Sequence, residues 1–329
     1  MSWLRKINGK TIMVGVMAVG LFLLASPAMI QAQDYPMKPI TIIVPFGPGG
    51  LIDIGARIFA EVLTKELKVP IVIDNKAGGG GLIGATAMFQ AAPDGYTMLA
   101  GSGAATISSV QLAKAPLFDT RKDFLPVGYL ADAPSAMSVA KNAPFQTFDE
   151  FLKYARANPG KLRGGAPSPG GETHIMFEMI RKQGKIDTKI ITYTDTASLV
   201  TAIMGGHIDW MCLSGPATMP YHKSGDLRIA LLTSKWASLP DTPSGPEVGL
   251  PGVSLDMWIG LFVHGKTPKP AYDRLVAAVA AAAKDPELSG KLAAAGITLN
   301  YKGPDDYRKL IDKDWGIFAE VLKDSGLIK

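Results

Sequence analysis

The chain has 329 residues, 47% of them hydrophobic, with 34 basic and 29 acidic side chains and a formal net charge of +5. Its first 32 residues hold Arg5, Lys6 and Lys10 and no acid, so without them the charge falls by three, to +2, which excludes a basic nucleic-acid surface. A single cysteine, Cys212 in an apolar run, excludes an intramolecular disulfide and reads as a buried, inert thiol, so the fold rests on its core.

Residues 1–32 read as a secretory signal peptide. "MSWLRKINGK" is basic, "TIMVGVMAVGLFLLA" is apolar but short of a membrane span, and "SPAMIQAQ" offers small residues for cleavage after Ala32. The mature chain is therefore expected to be exported and soluble.

Strand and helix patterns then alternate. "ITIIVPF" is rich in β-branched residues and leads into a helix over Leu51–Leu67, with Asp53, Arg57, Glu61 and Lys65 on one stripe. "PIVIDN" and "GYTMLAGSG" are each followed by a polar or Gly-rich turn and a helix. "TFDEFLKYARANPG" opens on a capping box, Thr147 to Glu150, and stops at Pro159-Gly160. Strand "LRGGAPS", helix "ETHIMFEMIRKQG", strand "KIITY", helix "ASLVTAIMGG" and strands "HIDWMCLSG" and "LRIALLTS" follow. After "LPDTPSGPEVGLPG" comes one more extended run, "SLDMWIGLFVHG", and three helices with Pro268, Pro286 and Pro304 near their starts.

This rhythm predicts an α/β protein with parallel sheets covered by helices on both faces. It divides into two lobes, residues 33–133 plus 253–329 and residues 134–252, with a helical C-terminal tail. The chain crosses between them near "LADAPSAMSVAK" and "LPGVSLDMWIG", which makes a hinge beside a cleft.

Two loops stand out. Phe46-Gly47-Pro48-Gly49-Gly50 lies where the first strand hands over to a helix, at the sheet edge where ligands bind in open α/β folds. The free N–H groups and positive dipole end of such a helix suit an anion, with no basic side chain required. A tight structural turn explains the loop alone equally well. "GGAPSPGGETH" stands at the corresponding place in the second lobe, with Ser168, Gly170, Gly171 and Thr173 as donors. If the lobes face each other, two helix N-termini converge on one anion.

Signatures for other chemistry fall short. Gly79-x-Gly81-x-x-Gly84 fits the dinucleotide fingerprint only in spacing: "DNKA" separates it from its strand and no acid stands about twenty residues on. No Gly-rich loop continues into G-K-[ST]. His174, His207, His222 and His264 lack metal-ligand spacing, and "LSGPA" around Ser214 is not a nucleophile elbow. Nothing unites nucleophile, base and orienter, so neither enzyme chemistry, metal nor cofactor is expected.

The segment "YPMKPITIIVPFGPGGLIDIGAR" resembles the opening of the Bug, or TctC, family of periplasmic solute-binding proteins. The pattern PFxPGGxxDxxAR is matched at Pro45, Phe46, Pro48, Gly49, Gly50, Asp53, Ala56 and Arg57. "DNKAGGGGLIGA", "AAPDGYTML", "DFLPVGYL", "ANPGKLRGGAPSPGGETH", "LPDTPSGPEVGLPG", "WIGLFVHGKTP" and "SGLIK" continue the resemblance across the mature chain. It implies a two-lobed type II periplasmic-binding (Venus flytrap) fold. The expected protein is a monomeric receptor that captures a small organic carboxylate and delivers it to the membrane permease subunits of a tripartite tricarboxylate transporter. By position, the family's ligand contacts carry onto Phe46, Gly47, Gly49, Gly50 and Asp53, with Pro48 in the same loop, and onto Ala166, Ser168, Gly170, Gly171, Thr173 and His174. Ser102, Tyr193, Asp195 and Ser214 are the expected specificity positions.

Two departures matter. Pro169 and Gly171 stand where the family's second loop is commonly richer in Ser or Thr. Tyr193-Thr194-Asp195 replaces a frequent "YKG". A carboxylate facing the cleft at Asp195 would disfavour a second ligand carboxylate; a cap for the helix beginning near Thr196 explains the same residue. A ligand-sensing receptor for a signalling partner and an exported hydrolase on the same scaffold are the alternative functions.

Overall fold

The computed structural model describes residues 35–167, 169–193 and 195–328; the expected signal peptide and Ser168 lie outside them. In chain order β1 (Ile40–Val44), α1 (Leu51–Leu67), β2 (Ile71–Asn75), α2 (Leu82–Gln90), β3 (Thr97–Gly101), α3 (Ser109–Leu112), α4 (Thr120–Asp123) and β4 (Phe124–Ala133) open the first lobe. A π-helical turn, Ala104–Ser108, runs directly into α3. The second lobe holds β5 (Ser135–Ala140), α5 (Phe148–Ala157), β6 (Arg163–Pro167), α6 (Glu172–Gly184), β7 (Lys189–Tyr193), α7 (Thr196–Met204), β8 (Trp210–Ser214), α8 (Gly215–Ser224) and β9 (Leu227–Leu232). The chain then returns through β10 (Met257–His264), α9 (Lys269–Ala282), α10 (Pro286–Ala294), β11 (Thr298–Lys302) and α11 (Pro304–Asp324).

Among the described residues the strands form two sheets, β11-β4-β10-β3-β1-β2 and β7-β6-β8-β5-β9. Each has a parallel trio, β2-β1-β3 and β7-β6-β8, flanked by an antiparallel strand, β10 or β5. The sheets are therefore mixed rather than parallel throughout. Strand β11, between the last two helices, is absent from the sequence reading, as is β4. Pro126 sits inside β4 where the register against β10 shifts between Leu261 and Phe262, the kind of irregularity that tolerates a proline.

Burial follows from the layers. β1 is covered on both faces, so Ile40, Ile42, Ile43 and Val44 are all buried. One face packs with Phe59, Leu63, Leu275 and Val279, the other with Phe262, Phe318 and Leu322. In the second lobe Trp210 stacks on Phe177 with ring centroids 4.1 Å apart, beside Phe151. The Thr147–Glu150 capping box forms at the head of α5.

The lobes also meet through α6. Its Ile175 joins the first-lobe core that contains Phe318 and Leu322 of α11, and Lys182 pairs with Asp324. Trp236 Nε1 donates to Gly296 O at 3.0 Å, a second tie between the lobes.

Candidate functional site

The parallel trios point their C-terminal ends at the loops singled out in the sequence. After β1 the chain turns through Gly49 at φ +83° and enters α1 with Gly50 as N-cap, where no side chain caps the helix. Asp53, in the first turn, reaches back so that its Oδ2 accepts the Gly49 N–H at 3.0 Å. Its carboxylate also takes Arg57 Nε at 3.1 Å and Asn75 Nδ2 at 2.9 Å. The Asn75 amide donates as well to Phe46 O at 3.0 Å, which fixes the start of the loop. Burial of Asp53 opposes ionisation, but the hydrogen bonds from Arg57, Asn75 and Gly49 outweigh it and hold the carboxyl below its ordinary value. Asp53 shapes the loop with its own acceptors.

The space above this loop is open. A Cβ on Gly47, Gly49 or Gly50 would meet nothing within 4 Å. Only Gly49 needs its glycine for backbone conformation; Gly47 and Gly50 have no packing or dihedral reason to lack a side chain.

The second loop repeats this construction. β6 ends through the buried Ala166, Gly170 takes φ +74°, and Gly171 is the uncapped N-cap of α6. His174 occupies the position of Asp53, and its Nδ1 accepts the Gly170 N–H at 2.9 Å. An accepting Nδ1 assigns the proton to Nε2, which faces Glu178 Oε1 at 3.9 Å. Burial lowers the His174 pKa from its ordinary value, so the ring is neutral near pH 7. Thr173 is buried beside it.

A second pair of motifs ends the third strand of each trio. In "SGAAT" Ser102 Oγ accepts the Ala105 N–H at 3.4 Å, and Thr106 Oγ1 donates to Ser102 O at 2.7 Å. In "SGPAT" Ser214 Oγ accepts the Ala217 N–H at 3.4 Å, and Thr218 Oγ1 donates to Ser214 O at 2.9 Å. The likeness of "SGAAT" to "SGPAT" is missed by the sequence reading, whereas the two "PGG" loops at 48–50 and 169–171 stand out in it. Asn75 and Glu172 also escape it.

The second loop makes close approaches to the first lobe. Phe46 Cζ lies 3.3 Å from where a Cβ on Gly81 would stand, and in the same turn a Cβ on Gly80 would lie 3.8 Å from Pro169 O. Gly170 is tighter: a Cβ there would come 2.8 Å from Leu112 Cδ1 and 2.9 Å from Leu322 Cδ2. Tyr193 ends β7 and Asp195 follows it at the same sheet edge. Asp195 is exposed and caps α7, accepting the Ser198 N–H at 2.8 Å. Among the described residues no three His, Cys, Asp or Glu side chains are grouped to hold a metal, and no helix is long and apolar enough to cross a membrane.

Residues 55–327 match the model of the tripartite tricarboxylate transporter family receptor, TctC. The chain belongs to that family. Protein BugT of Bordetella pertussis is 28% identical over 313 residues, which cover 94% of this chain and 96% of BugT. Two solved structures from Rhodopseudomonas palustris are also similar. One, with adipate, is 26% identical at a TM-score of 0.84, covering 89% of this chain and 99% of its own. The other, MatC with bound malate, is 27% identical at a TM-score of 0.80, covering 88% and 100%. This TctC chain is a solute-binding receptor of the periplasmic-binding-protein type, not an enzyme.

Proposed function

We propose that this receptor captures a small organic carboxylate between its lobes and hands it to the membrane permease of a tripartite tricarboxylate transporter. It would do so as a monomer in the periplasm, after removal of residues 1–32. The observation that carries the reading is the matched pair of loops. In each, the residue at the third helical position, Asp53 or His174, holds the loop glycine's N–H, at 3.0 and 2.9 Å, while the helix start keeps no side-chain cap. The N-cap glycines Gly50 and Gly171 offer no side chain to the helix-start amides, which favours an oxyanion there, and a loop fixed in this way loses little entropy on binding.

The empty volume over Gly47 and Gly50 supports placing the ligand's carboxylate there. Phe46, Pro48 and Gly49 would wall it from the first lobe, and Ala166, Ser168, Gly170, Gly171 and Thr173 from the second. Ser102, Tyr193, Asp195 and Ser214 would set what the distal end of the ligand can be. The adipate and malate of the two similar structures give the first compounds to try. Closure would bend the chain at 133/134 and 252/253.

A thermal-shift panel on refolded protein tests the reading, with adipate, malate, citrate, benzoate and aspartate. A ligand at a hundred times its dissociation constant stabilises by about 2.7 kcal/mol, and a carboxylate should do so. A folded protein that responds to no carboxylate would contradict it.

A further inference from the structure

Glu172 is a buried acid placed where the lobes meet. It opens α6 in the second lobe, yet its side chain runs to the first lobe, where a Cβ on Gly103 would lie 2.9 Å from its Oε1. The residue is 1% exposed, and Oε1 is buried without a hydrogen-bond partner. Its counterpart at the head of α1 is Leu51, a buried apolar residue. The acid therefore breaks the likeness between the two lobes.

We propose that Glu172 is a positioning residue that makes closure of the two lobes take up one proton. This rests on the reading of the protein as a receptor that closes on its ligand. With the lobes together, the carboxyl is enclosed among Gly103, Phe318 and the heads of two helical segments. With the lobes apart, water would reach it and the charged form would be restored.

The surroundings agree. The segment 101–112 brings no ionisable side chain; the amide of Glu172 itself, then those of Ala104 and Gly103, draw the carboxyl pKa down. On α11 stand Asp314, whose charge pushes it up, and Tyr307, whose hydroxyl is itself buried without a partner. Trp258 Nε1 of β10 donates to Asp314 Oδ2 at 3.0 Å. On α6 itself His174 is neutral and turned to Gly170. Burial dominates and raises Glu172 from its ordinary 4.5 to about 7.

The direction of the effect follows from linkage. The closed form holds the proton more tightly than the open form. Closure is therefore fully favoured below pH 4.5, weakens by up to about tenfold per pH unit as the pH rises towards 7, and is constant above it. Carboxylate capture would then be tighter in acid, the opposite of what protonating the ligand alone would give.

Spin labels on Ala77→Cys and Ala197→Cys, one exposed site on each lobe, report closure directly. Cys212 is fully buried and does not compete for label. Interlabel distances are recorded from pH 4.5 to 8.5, without ligand and with adipate or malate. The expected result is a short-distance population that grows as the pH falls, and a Glu172→Gln variant that stays closed to the same extent throughout. An Asp314→Asn variant, which keeps an acceptor for Trp258, should move the transition to lower pH; it also serves if Glu172→Gln does not fold. A wild type with no pH response, or a Glu172→Gln variant that responds as the wild type does, overturns the proposal. Distances that follow pH but ignore both carboxylates would count against the carboxylate reading while upholding the proton-linked closure.

Discussion

His174 stands in the second lobe where Asp53 stands in the first: each is the third residue of its helix, and each accepts the N–H of the glycine four residues before it. The two side chains differ in charge and shape but do one job. Both prevent the loop amide from turning away, and both leave the helix start itself without a side-chain cap.

Replacing Asp53 by Ala should therefore damage the loop rather than delete a ligand contact. It strands the Gly49 N–H and one N–H of the Asn75 amide and leaves Arg57 with Asn75 Oδ1. The expected loss is about 1–3 kcal/mol of stability, with weaker ligand binding. Thermal melts and carboxylate titrations of the variant check both. Because the folded pKa of Asp53 is lowered, its contribution is complete above its ordinary value of 3.8 and is lost as the pH falls through the lower folded value. In Asp53→Ala that part of the acid destabilisation should vanish.

His174 makes a prediction that NMR can read. Nitrogen shifts of the imidazole should report the Nε2–H form at pH 7, with titration below the ordinary 6.5. Protonating Nδ1 would turn the acceptor of the Gly170 N–H into a donor. Stability linked to His174 is therefore complete above 6.5 and falls as the pH drops towards the lower folded value. Finding the proton on Nδ1 at pH 7 would contradict the assignment.

Gly49 and Gly170, the positive-φ glycines of the two loops, should not respond alike. Gly49→Ala meets only backbone strain, about 1–2 kcal/mol, since nothing lies within 4 Å of the new methyl. Gly170→Ala carries the same strain and also drives a methyl against Leu112 and Leu322 across the lobe interface. Denaturant titrations should rank Gly170→Ala as the less stable variant by about 1–3 kcal/mol.

Much of this architecture is written in local patterns. The β-branched run before Pro45, the Gly-rich turn and the amphipathic α1 fix the first unit. Thr147 and Glu150 announce their helix by chemistry alone. β4 is concealed because Pro126 and Gly128 interrupt its apolar run, and only pairing with β10 and β11 makes it a strand. β11 is concealed because it is short, partly exposed and set between helices. Strand direction is not encoded in the period-two pattern, so the antiparallel β10 and β5 emerge only from the connections. At the site, the glycines and the capping role open to Asp195 were readable. Asn75 and Glu172 were not, because their roles depend on partners 22 and 69 residues away.

Gly47 offers the most direct test of the central claim that the open volume over the first loop holds the ligand's carboxylate. Isothermal titration of adipate and malate should be run on the wild type and on Gly47→Ala, with the ligand-free melting temperature of each. Gly47 has no left-handed backbone and no neighbour within 4 Å, so the account predicts an unchanged melting temperature. It also predicts at least about a tenfold loss of affinity, from a methyl placed where the ligand sits. Equal affinity in the two proteins, or no binding of any carboxylate to the folded wild type, would contradict it.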